Sequence, residues 1–337
     1  YPRHKVCGEF ISREVVPLFD ELQLWPNYEL PQIQQLRLSV ASGRELSMPL
    51  SHGAFGWSRY NLDRHLAHLY SSRSGQLLTH STVRRIEQND GGYSVETADG
   101  RLFQARILMA AVGKKSSIDK AIGLGSGKRS PWMGWKMHFE LPDFPTDRVE
   151  LHNFSGGYAG LSRVEKGRIN MAALVDSRLV KGKEDAWKLA LKAFRQNPYM
   201  REFLDQAKPL LEKPVAVSQL DYGNRPQVSN GVLLLGDSAG MIHPLSGNGM
   251  AMAIGSAQLA VEAAISFLNG TIDQSAMEGR YQKSWRQHYH QRLRVSRLLR
   301  AFFAASGKSE WALQAALALP TLTRWLERQT HGKAPAL

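Results

Sequence analysis

The stretch Gly231–Ala260 carries the residues best suited to chemistry: Gly236, Asp237, Pro244, Gly247 and Gly249, spaced G-D-x6-P-x2-G-x-G. Asp237 stands at the carboxyl end of a short apolar run, Val232–Leu235, where open α/β sheets place their ligand contacts. The run is β-branched at its start and stopped by glycine, as a central parallel strand is. From about Gly247 a helix is expected. The backbone N–H groups of Gly247–Gly249 would turn its positive end toward an electron-rich partner. Gly249, Ala251, Ala253, Gly255 and Ala257 leave one side of that helix small enough to lie against a sheet or a ligand.

The chain around this stretch is long enough for two domains, or for one large doubly wound domain with an inserted sheet. Its 337 residues are 43% hydrophobic and 22% charged, an ordinary globular balance. The single cysteine, Cys7, excludes a disulfide framework and a cysteine-based zinc site, and no metal site is expected. No run of about eighteen apolar residues is evident, so a membrane-spanning helix is not expected. The 43 basic residues outnumber the 30 acidic ones, giving a net charge of +13 and a bias toward anionic partners. No recognisable nucleic-acid-binding module accompanies that charge, so nucleic acid is not an expected partner.

Along the chain, Val15–Leu22 reads as a short helix, and Leu36–Val40 with Glu45–Met48 as a strand pair turning at Ser42-Gly43. A helix opens near Arg59 and runs to about Tyr70. Gln76–Thr79, Thr82–Gln88, Gly92–Thr97 and Arg101–Ala110 read as a β-meander that ends in a buried strand, Ile107–Val112. Trp132–Leu141, Arg148–Phe154 and Arg168–Val175 alternate as strands, with Gly156–Leu161 as a joining segment. Helices follow at Lys183–Arg195 and Met200–Lys208. The helix after the central motif stops at Asn269-Gly270. Beyond it, Glu278–Arg300 is strongly basic with interspersed aromatic residues, and Trp311–Trp325 continues as an amphipathic helix broken at Pro320. Such basic helices suit either packing on the body or contact with an anionic membrane surface.

The full G-D-x6-P-x2-G-x-G spacing resembles the second flavin-binding motif of FAD-dependent oxidoreductases with the glutathione-reductase-type fold, a superfamily that includes geranylgeranyl reductases, aromatic hydroxylases and flavin halogenases. The resemblance implies that Asp237 hydrogen-bonds the ribityl chain, and that Gly236, Pro244, Gly247, Asn248 and Gly249 shape the cofactor site. It also implies FAD contacts for Arg59, in an R-x-x-L arrangement, for the backbone of Val83 at the adenine, and for Gly113 in the A-x-G-x-x-S turn that ends at Ser116. Hydroxylases carry aspartate where this chain has Val112, and histidine where it has Gly240. Lys5-x-Cys7-Gly8 is similar to the K-x-C-G of geranylgeranyl-reductase-like proteins. The W-x-F-P signature of those reductases and the G-W-x-W-x-I-P of tryptophan halogenases are absent. So is the G-x-G-x-x-G unit that opens this fold; Gly123–Lys128 (GLGSGK) does not replace it, and an N-terminally incomplete chain is expected.

The expected fold is therefore α/β: an FAD/NAD(P)-binding doubly wound domain, N-terminally incomplete, with an inserted antiparallel-sheet substrate domain and C-terminal helices. The cofactor domain spans 1–130 and 215–270, with 30–55 contributing to the substrate sheet; the substrate domain spans 131–214 and the helical region 271–337. The resemblance implies an enzyme that uses FAD, with NAD(P)H or an electron-donor protein as reductant, and that reduces a hydrophobic small molecule of isoprenoid, lipid-like or polyketide type. A flavin monooxygenase of aromatic or polyketide substrates and a non-catalytic remnant acting as a binding protein are the alternatives. Reduction of a double bond needs a proton donor, for which Cys7, Glu9 and His243 are candidates. Lys136, His138, His152 and Tyr158 are candidate substrate anchors, though strand alternation alone would also place them. A cytoplasmic enzyme, peripheral at the membrane through its basic C-terminal helices, is expected.

Overall fold

The computed structural model describes residues 1–114, 118–124, 130–182, 184–218, 220, 223, 225–303 and 308–318, and positions 321, 323, 325, 329 and 332. The chain opens with strand β1 (Phe10–Ser12) and helix α1 (Val16–Glu21), then a long hairpin of β2 (Gln32–Ser39) and β3 (Glu45–Gly56). Helix α2 (Arg59–Ser72) follows, its first turn capped by Ser58, whose side chain accepts from the Asn61 N–H. Next come the meander β4 (Val83–Asn89), β5 (Gly92–Thr97) and β6 (Leu102–Ala105), and the short β7 (Met109–Ala110). Strands β8 (Trp132–Glu140), β9 (Arg148–Phe154), β10 (Gly157–Arg163) and β11 (Ile169–Asp176) form a continuous antiparallel run. Helices α3 (Ala186–Phe194) and α4 (Pro198–Gln206) precede four short strands: β12 (Lys208–Pro209), β13 (Val215–Ser218), β14 (Val228–Ser229) and β15 (Val232–Leu234). Helices α5 (Gly249–Leu268), α6 (Gln274–Phe303) and α7 (Lys308–Ala318) follow.

The largest sheet has nine strands, in the order β1-β3-β2-β9-β10-β11-β8-β12, with β13 also on β8. It is mixed rather than antiparallel throughout: β2 runs parallel to β9, because the β2–β3 hairpin joins from a distant part of the chain. The segment expected to join two strands, Gly156–Leu161, is itself a strand, since Gly157–Arg163 pairs along both edges with β9 and β11. Glycines at 157 and 160 let strands pack closely there; a Cβ on Gly157 would lie 2.2 Å from the Leu174 carbonyl oxygen. β13 lies in this same sheet, so the sheet extends past residue 214. Gln76–Thr79 forms no strand, and the strand expected over Ile107–Val112 narrows to Met109–Ala110. Ser116, GLGSGK beyond Leu124, and Pro320 lie outside the described residues.

Alternation sorts the side chains of β8. Trp135, Met137 and Phe139 pack with Phe194, Met200 and Phe203 of α3 and α4, while Lys136 and His138 project from the other face. A second core joins β15 to α5 and α6: Val232, Leu233 and Leu234 pack with Leu259, Ala260 and Ala263, and with Tyr281, Trp285 and Tyr289. The hydroxyl of Tyr281 donates to the Leu234 carbonyl at 2.5 Å, tying α6 to the strand. Here β15 pairs in parallel with β7 and antiparallel with β14, a small three-stranded sheet. Contrary to expectation, α5 is long and apolar enough to cross a membrane by length and composition, but half of that stretch is buried inside the body. Asn269 caps it, and Gly270 follows at φ +73°, the left-handed turn that ends a helix.

Candidate functional site

A cavity of about 1340 Å³ lies between the large sheet and the β15–α5 edge. One wall is apolar and comes from alternate positions of three strands: Leu36 and Leu38, Met48 and Leu50, Val149 and Leu151. Strict alternation along a strand is what puts each pair on one face. The opposite wall is polar and small-residued: Gly113 and Lys114 after β7, Gly236 and Asp237 after β15, and Gly247, Gly249 and Ala253 at the start of α5. Ala315 and Ala316 of α7, with Thr323, close one end.

The polar wall is held by backbone ties. Gly236 sits at φ +57° and its N–H donates to Ser256 Oγ at 2.9 Å, which pins the turn onto α5. Gly247 sits at φ +64°, and a Cβ there would press on the Phe10 ring at 3.2 Å. Both positions need glycine for conformation and for space. Gly113, at φ +78°, donates its N–H to Ser238 Oγ at 2.9 Å, joining the β7 turn to the Asp237 turn. Helix α5 begins at Asn248 with no side-chain cap, so its first N–H groups are open toward the cavity. Ser246 Oγ is buried there with no hydrogen-bond partner among the described residues. Among the described residues no hydrogen bond reaches the Asp237 carboxylate. Burial pushes that carboxyl above its ordinary range, against the opposing pull of Lys114, Arg59 and Arg225.

The other polar cluster is closed. Glu9 is fully buried at φ +54°, and its carboxylate takes Lys136 Nζ, His138 Nε2 at 2.6 Å and the Arg59 N–H at 2.6 Å. Burial raises the carboxyl, but the hydrogen bond from His138 and the charge of Lys136 outweigh it and hold Glu9 below the usual carboxylate range. The Glu9 N–H lies 3.4 Å from Cys7 Sγ, and the Arg59 guanidinium is set against the same sulfur. Arg59 is also bonded to Asp63 through Nε at 2.9 Å and through its second nitrogen at 3.1 Å. His4 stacks on Tyr60 and meets His138 edge-on; burial, with Lys136 and His138 adding to it, pushes its imidazole down toward the neutral form.

Of the residues singled out in the sequence, Cys7, Glu9, Arg59, Gly113, Tyr158, Gly236, Asp237, Gly247 and Gly249 line the cavity. Lys136 and His138 do not; they lie behind Glu9 and are spent on its carboxylate. His152 is held between Ser39 Oγ and Glu150 in the sheet, and likewise does not line it. His243 faces a smaller pocket against α6. Pro244 opens the short turn Pro244–Ser246, and Asn248 is fully buried beneath the cavity wall. Val83 lies in the separate meander sheet, away from the cavity. Sequence reasoning passed over Lys114 and Ser246, which flank the motif glycines, and the apolar wall of β2, β3 and β9, whose alternation was visible but whose shared face was not.

A family model described as squalene epoxidase matches residues 213–316, which cover the central motif and α6. Digeranylgeranylglycerophospholipid reductase 2 of Methanopyrus kandleri is 25% identical over 228 residues, 64% of this chain and 56% of that protein. Digeranylgeranylglycerophospholipid reductase 1 of the same organism is 24% identical over 332 residues, covering 87% of this chain and 79% of the relative. The chain thus spans little more than half the length of the first of these. Among solved structures, Klebsiella pneumoniae HpxO complexed with FAD and uric acid superposes with a TM-score of 0.74 at 17% identity, over 95% of this chain and 87% of the other. At that identity the likeness concerns the fold. The chain has the α/β fold of the flavoprotein oxidoreductases that its motif resembles.

The Glu9–Lys136 pair generates a test of structure. E9Q leaves a buried ammonium without its counter-charge and should lower stability by about 3–5 kcal/mol, whereas E9L combined with K136M should lose less than either single change. Denaturant midpoints of E9Q and of the cycle formed by the unmodified chain, E9L, K136M and their combination measure this; losses that simply add would mean the pair is not coupled. Because the Glu9 carboxyl is depressed in the folded state, its contribution is present above the ordinary carboxyl range and is lost as pH falls from there through the depressed folded value. The acid limb of the stability profile should therefore flatten in E9Q.

Proposed function

We propose that this chain is an FAD-dependent oxidoreductase acting on a hydrophobic small molecule of isoprenoid or lipid-like type. The observation that carries the reading is one cavity with two unlike walls: a polar edge of open N–H groups and an unbonded carboxylate, facing a sheet of leucine, methionine and valine. The residues fit FAD. An uncapped helix start, the orphaned Ser246 hydroxyl and the Asp237 carboxylate are suited to a polyol and an electron-rich ring system. Asp237, Arg59, Gly113, Gly236, Gly247 and Gly249 would hold it. When bound, FAD supplies the redox chemistry. The wall of Leu36, Leu38, Met48 and Leu50 orients an apolar substrate and keeps water out. Of the three proton-donor candidates, Glu9 is committed to its ion pair and His243 faces another pocket, which leaves the Cys7 thiol as the proton carrier that reaches the cavity.

The relatives named as digeranylgeranylglycerophospholipid reductases support reduction of an isoprenoid double bond. The squalene epoxidase match favours a second reading, oxygenation of an apolar substrate. Anaerobic turnover with a polyprenyl substrate and NAD(P)H or a reduced carrier protein as donor distinguishes them. Saturated product without oxygen supports the reductase; product that forms only with oxygen uptake supports the second reading.

FAD binding is tested by titrating FAD against the purified protein and following quenching of flavin fluorescence. D237N should weaken binding by roughly tenfold, about 1.4 kcal/mol. The same substitution should raise the midpoint of the ligand-free protein at neutral pH. Burial destabilises the Asp237 carboxylate, so a neutral amide removes a cost that is absent below the ordinary carboxyl range, grows above it and is fully present above the raised folded value. Unchanged FAD affinity would remove Asp237 from the site.

We also assign the C-terminal helices to peripheral contact with an anionic membrane, supported by exposed Leu298 among the arginines of α6 and by exposed Trp311 on α7. Co-sedimentation with phosphatidylserine vesicles should fall with salt and with W311A. Absence of binding at low salt would refute it.

A further inference from the structure

Behind the stretch Ala239–Met241, on the side away from the cavity, a second pocket of about 240 Å³ opens against α6. Its charged and titratable lining is cationic or imidazole throughout among the described residues: Arg225, Arg286 and Arg297, with His243 and His290. Three of these lie on α6, where residues 286, 290 and 297 recur at helical spacing and so share a face. That face is distinct from the one that buries Met277 and Tyr281 in the core, while Trp285 lies at the boundary and lines the pocket as well. Another basic residue of α6, Arg292, is neutralised by Glu14 at 2.9 Å, as a buried arginine ordinarily is. Arg225 and Arg286 make no ion pair among the described residues. Arg225 donates one nitrogen to the Lys114 carbonyl, while its Nη1 is buried with no hydrogen-bond partner among the described residues. Arg286, which is partly open to solvent at the pocket mouth, reaches the neutral amide of Gln227 at 3.4 Å.

A buried guanidinium nitrogen without an acceptor is costly, and like charges converging on one small space repel. Both costs vanish if the pocket holds an oxyanion. Planar guanidinium forks match phosphate geometry, and a tetrahedral anion can take donors from several directions at once. We propose that this pocket is a binding site for a phosphate group, free or carried by a larger molecule such as a nucleotide or a phospholipid headgroup. Met241 lines both the pocket and the main cavity, so the bound phosphate would sit one side chain away from the Asp237 turn. The proposal stands on the arginines and does not require that FAD occupy the cavity.

The test is calorimetric titration of the full chain with inorganic phosphate and with pyrophosphate at fixed ionic strength. Saturable binding is expected, weakened roughly tenfold or more by R286M, as loss of one charge-assisted contact implies. R280M is the control: Arg280 is exposed on the same helix outside the pocket, and its loss changes net charge equally. Binding lost in R286M but kept in R280M supports the site. Absence of saturable binding, or equal weakening by both variants, overturns it, the latter because general charge would then explain the signal. In the same format, NADPH against NADH and phosphatidic acid against neutral vesicles show whether a nucleotide or a lipid phosphate is the natural source. FAD titrations of both variants, read separately, keep a failure here distinct from a failure of the flavin reading.

Discussion

One buried carboxylate ties together three elements beside the cavity. Glu9 comes from the segment before β1, yet it bonds Lys136 and His138 on β8 and the first N–H of α2. Three elements distant in sequence therefore meet at one side chain. Burying that charge is expensive, and it is tolerated because an ammonium, an imidazole and a helix N-terminus all face it. Glu165 does the same work from the other side of α2, accepting from the Ser58 N–H at 2.8 Å and from Asn61 at 2.6 Å. Two buried anions thus fix the start of α2 from two strand-bearing segments. Arg59, the first residue of that helix, is placed by this arrangement and not by its own contacts alone.

The consequence for the site is a division of labour among polar groups. Lys136 and His138 resemble catalytic residues by type, but their polar atoms are consumed in holding Glu9. Asp237 is the reverse: a carboxylate at the cavity wall, near three cations and bonded to none of them. Its carboxyl is pushed up and that of Glu9 held down, and the cause is the same physical quantity with opposite outcome, burial with and without hydrogen-bond partners. A group left unsatisfied in a protein otherwise careful to satisfy its buried charges is the more telling one.

Local signals were legible in the sequence where the chemistry was local. The strand, turn and helix around Gly236–Gly249 follow from an apolar run, a glycine at positive φ and a run of small residues, all within thirty positions. The meander and the β2–β3 hairpin were also readable from turn residues and alternation. Three features were not. The Gly157–Arg163 strand is rich in glycine and small residues, so its propensity is weak, and only pairing on both edges makes it a strand. The parallel contact of β2 with β9 joins residues more than a hundred positions apart, which no local pattern encodes. Alternation gave Lys136 and His138 a shared face but could not say that Glu9 would fill it.

The basic character of the chain resolves in the same way once partners are known. A net charge of +13 suggests one large anionic surface, but the arginines of α6 do not act alike. Arg292 faces inward to Glu14, Arg280 lies outward against Ser266, and Arg286 and Arg297 turn to the small pocket beside Arg225. Helical periodicity distributes one run of charge among three environments, because residues four apart share a face and residues two apart do not. Net charge therefore says little about a partner here. The informative quantity is which cations meet a carboxylate within the fold: Arg292 does and is structural, whereas Arg286 makes no ion pair among the described residues.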